Sequence, residues 1–363
     1  MKLFWLFLSA LLLGFAQGWV FRRAGMKGLR YERTFSKPAA FAGDEVEMLE
    51  TLVNRSRLPL PWLRVQSRVP AALRFGSRQS DGSGGEMYHR SVFYVQPRSR
   101  VIRRHRVTLT RRGCFRAGSV ALTSGDLLGA STGEFQLETG AMIYAYPRPA
   151  PRSELPLPCT RFMGDMLVRR FVQPDPYLMC GVRVYRAGDA RRDVHWAATA
   201  KMRQLMVKTY DCSADPRLLV VLNVQLSENQ WADLIGDEIA AIERGISLAA
   251  AICLHSIDSG AEAGFCANTD LETDGAPAML APARSERQKT ELLTLLSRLT
   301  LHMRQNFYAY LDSLTLPANT TDVLVLSCCP SKRIEDALAR MRASGVQTLL
   351  YRLPGGRDDA NVA

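Results

Sequence analysis

Between Tyr185 and Asp211 the chain brings Asp189, Arg192, His195 and Trp196 within eight residues of one another. If the first three converged in a pocket, they would supply a carboxylate, a cation for anionic oxygen and an imidazole for proton transfer. Those are parts an enzyme acting on the cell envelope, or on a phosphorylated substrate, could use. No serine or cysteine stands beside them in a nucleophile context. The structural alternative is simpler: Asp189 pairs with Arg192 to fix a turn, and Trp196 fills the core beneath it.

Other candidate chemistry is sparse. His89, His105, His255 and His302 are scattered, and a satisfied core or surface role is the simpler reading for each. Cys114, Cys159, Cys180, Cys212, Cys253, Cys266, Cys328 and Cys329 form no Cys-x-x-Cys and have no histidine at metal-ligand spacing. They indicate neither a zinc centre nor a compact disulfide framework, and buried free thiols suit a reducing cytoplasm. Their even number leaves disulfides open. A Gly-x-x-x-x-Gly-Lys loop is missing, so the chain is not a recognisable ATPase.

Lys plus Arg number 47 against 35 Asp plus Glu, a formal charge of +12. Much of the excess lies in Arg98, Arg100, Arg103, Arg104, Arg106, Arg111 and Arg112, a density that could meet anionic lipid or nucleic acid. Without interleaved aromatics to stack on bases, nucleic acid is the weaker partner.

The elements that position Asp189 begin with a turn. Gly188-Asp189 bends the backbone, and Asp189 is a candidate cap for the alanine-rich helical segment that follows. Leu205 to Tyr210 then turns β-like. This order of residues, Tyr185, Gly188, Asp189, Arg192, Val194, Trp196, Ala200 and Lys208, resembles the signature of the bacterial family known as the domain of unknown function numbered fifty-eight. Arg112-Gly113 and Ser124-Gly125-Asp126-Leu127-Leu128-Gly129 resemble its upstream Arg-Gly strand and Asp-x-x-Gly turn. The resemblance implies a von Willebrand factor A-related domain and a MoxR-type AAA+ ATPase as partner.

The rest of the chain divides into four parts. Phe4 to Phe21 is apolar and uncharged, long enough for one membrane span, which places a transmembrane anchor over 1–22. Arg22, Arg23, Lys27, Arg30 and Arg33 follow it, so the positive-inside bias puts the bulk of the chain in the cytoplasm, on the inner membrane. A cleaved signal peptide ending near Ala16-Gln17-Gly18 is the competing reading. Residues 28–147 read as short strands: Glu45 to Val53, Trp62 to Val69, Tyr88 to Val95, Val101 to Thr110, Val120 to Thr123 and Ala141 to Tyr146. Their spacing indicates a small β-sandwich-like domain. A proline-rich linker and lead-in occupy 148–180, and the signature opens an α/β domain over 181–363.

In that last domain Leu218 to Leu222 is a buried strand, Trp231 to Ile257 a helix, and Ala261 to Ala267 a strand. Glu286 to Leu301 and Gln305 to Leu314 are helical, Asp322 to Ser327 is a strand, Lys332 to Ala343 a helix and Val346 to Leu353 a strand. The alternation implies a Rossmann-like, mainly parallel sheet, which the resemblance refines to a von Willebrand factor A-like fold. Such domains can bind a divalent cation through Asp-x-Ser-x-Ser after the first strand, because Mg²⁺ needs hard oxygen ligands. Here the place is taken by Asn223-Val224-Gln225-Leu226-Ser227, and Cys328 stands where a later Asp is expected.

The expectation is a degenerate metal loop of Asn223, Gln225, Ser227 and Cys328, with no metal or other cofactor. Tyr185, Gly188, Asp189, Arg192, Val194, Trp196 and Lys208 form a signature surface for a protein partner. The chain reads as a non-enzymatic, membrane-anchored cytoplasmic adaptor.

Overall fold

In Glu45–Asn54 alternate side chains turn inward, and they include one acid: Val46, Met48, Glu50, Leu52 and Asn54 are all buried along strand β3. The computed structural model describes part of the first 27 residues and then 28–76, 86–125, 132–172, 179–210 and 216–355, apart from 229, 231–233, 235, 273 and 318. The chain divides into two compact units, Met1–Arg148 and Pro149–Ala363.

In the first unit β3 pairs with β1 (Leu29–Phe35) and β7 (Ser99–Leu109), and β7 with the short β5 (Leu73–Phe75). A second antiparallel sheet runs β10-β9-β4-β6, from Thr132–Glu138, Ser119–Gly125, Leu60–Pro70 and Glu86–Val95. A third, smaller sheet joins β2 (Ala39–Phe41), β11 (Met142–Tyr146) and β8 (Gly113–Arg116). Leu52 of the first sheet packs with Leu63, Val65, Phe93 and Leu122 of the second, and Met48 packs with Val107, Phe115 and Ile143 in a separate cluster. Each expected run overlaps a strand, but β1, β2, β5, β8 and β10 are additional. Three of those are only three or four residues long, too short to show alternation.

The second unit centres on β14 (Arg217–Leu222), buried along nearly its whole length. It lies between β15 (Glu262–Leu271) and β18 (Asp322–Ser327), with β19 (Gln347–Arg352) beyond β18, all four parallel. Two further strands, β16 (Pro277–Ala283) and β17 (Leu299–Met303), pair antiparallel with β15. The long helix over Asp237–Asp258 packs closely on this sheet: a Cβ at Gly245 would come 2.7 Å from Leu353 and 3.1 Å from Leu222.

The structure corrects or adds to the expectations in three places. First, the linker and lead-in expected over 148–180 contains a helix that the prolines were expected to forbid at its start: Leu157–Val172 forms α1, and Cys159, Met163 and Met166 on it are buried. Pro158 is compatible because it sits in the first turn, where backbone N–H groups have no intrahelical partner. Second, the helix over Glu286 to Leu301 stops at Arg298. Leu299 is already extended, and the Thr269 hydroxyl ties the returning chain to β15 through Thr300. Third, β16 is a strand for which the sequence gives no expectation, and it carries two prolines. At the edge of the sheet their missing N–H groups are tolerated.

The expected anchor over 1–22 falls largely outside the described residues. Those that are described there, such as Phe4, Trp5, Leu12, Phe15 and Trp19, are helical and exposed. Among the described residues one helix, Asp237–Asp258, has the length and hydropathy to cross a membrane, and 61% of that stretch is buried inside the protein.

Candidate functional site

The signature folds as a hairpin followed by a short helix. Strand β12 (Met179–Val184) pairs antiparallel with β13 (Met206–Tyr210), placing Val184 opposite Met206 and Val182 opposite Lys208. Tyr185 continues the pairing through its N–H to the Leu205 carbonyl, 2.8 Å. The chain then turns at Gly188, whose φ of +106° is a conformation that side-chain-bearing residues rarely adopt.

Asp189 closes that turn, but not as a helix cap and not with Arg192. Its two carboxylate oxygens accept from Arg183 at 2.7 Å each, and Oδ2 also accepts the Arg186 N–H at 2.8 Å. The hydrogen bonds from Arg183, then that from Arg186, hold the Asp189 carboxyl down at about 2. Arg192 instead reaches toward solvent: its side chain is 88% exposed, 3.9 Å from Asp193. The sequence offered both cations. A strand residue two positions before Tyr185 meets Asp189 only because the turn folds back on β12.

The helix cap is His195. Its Nδ1 accepts the Ala198 N–H at 3.0 Å, opening helix α2 (Trp196–Met202), while its own N–H bonds the Met206 carbonyl at 2.8 Å. Thr199 returns to β13 by accepting the Met206 N–H at 2.9 Å. Val194 lies beside Val207, and both are buried. Trp196 does not fill this core. It is 70% exposed, and Val182, Val184, Met202 and Leu205 are exposed with it. Arg186, Arg191, Lys201 and Arg203 are exposed in the same hairpin and helix. Asp189, Arg192 and His195 therefore make separate contacts rather than one constellation.

The second candidate region lies at the carboxyl ends of β14 and β18. Asn223 donates to Ser327 Oγ at 2.9 Å and accepts the Gln225 N–H at 2.9 Å. Gln225 accepts the Phe307 N–H at 2.5 Å and donates to Asn306 at 3.3 Å. Ser327 bridges the backbone of Cys329, and Asn268 accepts the Val224 N–H at 2.9 Å. Neutral amides thus satisfy one another where a cation would need charged oxygen.

A small cavity of about 10 Å³ is lined by Asn223, Gln225 and Ser227 together with Glu228, Cys329 and Ser331. Cys328 is not part of its lining. That thiol is fully buried, and burial pushes it up to about 11 against the lowering influence of Arg244. Glu228 is the single carboxylate in the lining, so the residues present do not fit a Mg²⁺ site. Arg183, Thr199, Asn268 and Asn306 were missed by sequence reasoning. Arg183 meets Asp189 only across the turn, Thr199 and Asn268 act on backbone N–H groups, and Asn306 meets Gln225 from 81 positions away, so none leaves a spacing to recognise.

Residues 181–344 match the family model described as "Protein of unknown function DUF58". No curated protein matches the chain. Among solved structures, the CARDB domain of a Pyrococcus furiosus protein is 11% identical, over 31% of this chain and 93% of its own, with a TM-score of 0.19. A non-cellulosomal cohesin from Archaeoglobus fulgidus is 10% identical, over 32% and 91%, with a TM-score of 0.20. A beta-glucosidase from Listeria innocua is 13% identical, over 32% and 16%, with a TM-score of 0.18.

Proposed function

We propose, from the premise that this chain carries a DUF58 domain, that it is a non-enzymatic adaptor which docks a protein partner through the signature hairpin and helix. One observation carries this reading: Trp196, the bulkiest signature residue, stands 70% exposed on a backbone that is itself pinned by the Arg183–Asp189 pair and the His195 cap. An exposed tryptophan beside exposed arginine is the composition that dominates protein-binding hot spots, and a rigid backbone lowers the entropy lost on docking.

The partner we infer is a MoxR-type AAA+ ATPase, which rests on the family resemblance. The proposed setting is the cytoplasmic face of the inner membrane, with residues 1–22 as the anchor. We read the second unit as a von Willebrand factor A-like domain whose metal loop has been replaced by the Asn223–Gln225–Ser327 network. Its order β15-β14-β18-β19, all parallel, supports that reading.

The test is crosslinking in native membranes followed by pull-down and mass spectrometry. The intact chain is compared with Trp196→Ala plus Arg192→Ala, both side chains being exposed and so dispensable for folding. Recovery of an AAA+ ATPase by the intact chain and its loss from the variant is the expected result. Equal recovery by both would move the docking surface elsewhere, and recovery by neither would sink the partner.

A second reading is favoured by strand β7. Arg100, Ile102, Arg104 and Arg106 alternate on its exposed side, a cationic stripe with one apolar residue that could lie against anionic lipid. Vesicle binding that ignores salt concentration would remove this electrostatic account.

A further inference from the structure

The first unit buries a polar band between two apolar clusters. Glu50 of β3 has a fully buried side chain, and strand register sets Arg33 of β1 directly opposite it. Arg33 Nη2 donates to Glu50 Oε1 at 2.7 Å, and the Tyr31 hydroxyl donates to the same oxygen at 2.8 Å. Oε2 is left for His105 of β7, whose Nε2 lies 2.9 Å away. His89 reaches in from β6 of the facing sheet. Its ring sits edge-on to His105 with centroids 4.7 Å apart and is stacked by Phe75 at 4.4 Å. One ligand atom from each of Glu50, His89 and His105 lies within 4.8 Å of the others, the one such trio among the described residues.

We propose that Glu50, His89 and His105 form a binding site for a zinc-type divalent cation. Two imidazole nitrogens and one carboxylate oxygen make a three-ligand zinc set with a fourth position open, whereas Mg²⁺ and Ca²⁺ call for oxygen throughout. Tetrahedral zinc ligands lie roughly 3.4 Å apart, so the trio closes on an ion with shifts of about 1 Å. The division of labour on Glu50 fits a ligating carboxylate: Arg33 and Tyr31 hold one oxygen and orient the other. Ser91 Oγ lies 3.1 Å from His89 Nε2 and fixes the angle of that ring.

A second observation points to a bound group. Nε and Nη1 of Arg33 and the hydroxyl of Ser67 are buried without a hydrogen-bond partner, and Ser67 stands opposite His89 in the strand register. Buried orphans of this kind call for an ion or water to satisfy them. Arg33 already balances the charge of Glu50, so an added divalent cation favours a hydroxide or other anion at its fourth position. The spare Arg33 N–H groups are donors for such a ligand.

The experiment uses the full chain in detergent, stripped with a chelator and titrated with Zn²⁺ by calorimetry and with Co²⁺ by visible absorption. The expected result is one ion per chain, a tetrahedral cobalt spectrum, and an affinity loss of about tenfold or more in both His89→Ala and His105→Ala. Cys114→Ser, which removes a half-buried thiol, is expected to bind as the intact chain does. Should an alanine variant misfold, X-ray absorption of the zinc-loaded intact chain decides: nitrogen and oxygen ligands support the site, and sulfur ligands overturn it. Absence of stoichiometric binding by the intact chain, or unchanged affinity in folded His89→Ala plus His105→Ala, also overturns it.

Discussion

Arg183 and Asp189 are joined by two hydrogen bonds of 2.7 Å each, so a strand residue holds the turn that follows its own strand. The pair sets the path from β12 into α2, and with it the presentation of Trp196.

That pairing carries a pH signature. The Asp189 carboxyl is depressed to about 2, against about 3.9 for an unperturbed aspartate. A depressed acid contributes stability that is complete above its unfolded value and is lost as pH falls through its folded value. The turn is therefore expected to hold at pH 4 and loosen toward pH 2. Titration of the Arg186 amide by NMR checks this, and a midpoint at or above 4 would contradict the pairing. Asp189→Ala should release that amide at every pH.

Trp196 and Val194 should separate binding from folding. Trp196→Ala is expected to shift stability by no more than about 0.5 kcal/mol, as surface substitutions do, while weakening partner recovery. Val194→Ala, at a site 5% exposed, should cost on the order of 1–2 kcal/mol. Chemical denaturation of the two variants gives the comparison, and equal losses would mean that Trp196 is packed in solution.

Glu50→Ala removes the partner of a buried guanidinium. Breaking one side of a buried ion pair costs about 3–5 kcal/mol, because the remaining charge has neither water nor counter-ion. The prediction is a first unit that unfolds at markedly lower denaturant. Glu50→Ala combined with Arg33→Met should recover part of the loss, and an unchanged deficit in the double variant would argue against charge as its cause.

Asn223→Asp tests the amide network at the carboxyl ends of the sheet. The new carboxylate would be almost fully buried, and it would replace a donor to Ser327 with a charge. A loss of roughly 3 kcal/mol is expected. Thermal unfolding with and without millimolar Mg²⁺ decides whether one restored carboxylate is enough, and the expected outcome is no rescue.

Gly264→Ala probes a close approach of two strands. A Cβ there would meet the Leu280 carbonyl oxygen at 2.5 Å and the Pro282 nitrogen at 2.6 Å, both backbone atoms. Overpacking of this kind costs about 1–3 kcal/mol, read as a lowered thermal midpoint, and an unshifted midpoint would mean that β16 can move aside.

What was legible in the sequence followed from local rules. Leu218 to Leu222 announced a buried strand because a parallel strand covered on both faces is continuously apolar. Lys332 to Ala343 announced a helix through its spacing of apolar residues. β16 and α1 both carry prolines, whose effect depends on whether they fall at an edge or in a first turn. A local pattern does not carry that information.

The candidate sites divide in the same way. The sequence by itself determined that the stretch from Tyr185 to Tyr210 is a turn, a short helix and a strand, and that the loop after β14 opens with Asn223, Gln225 and Ser227 rather than with carboxylates, since both are properties of neighbouring residues. Only the tertiary structure decided that Asp189 takes Arg183 rather than Arg192, that Trp196 faces solvent, and that Glu50, His89 and His105 meet. Those outcomes depend on hairpin register and on the facing of two sheets, which bring together side chains as far as 55 positions apart.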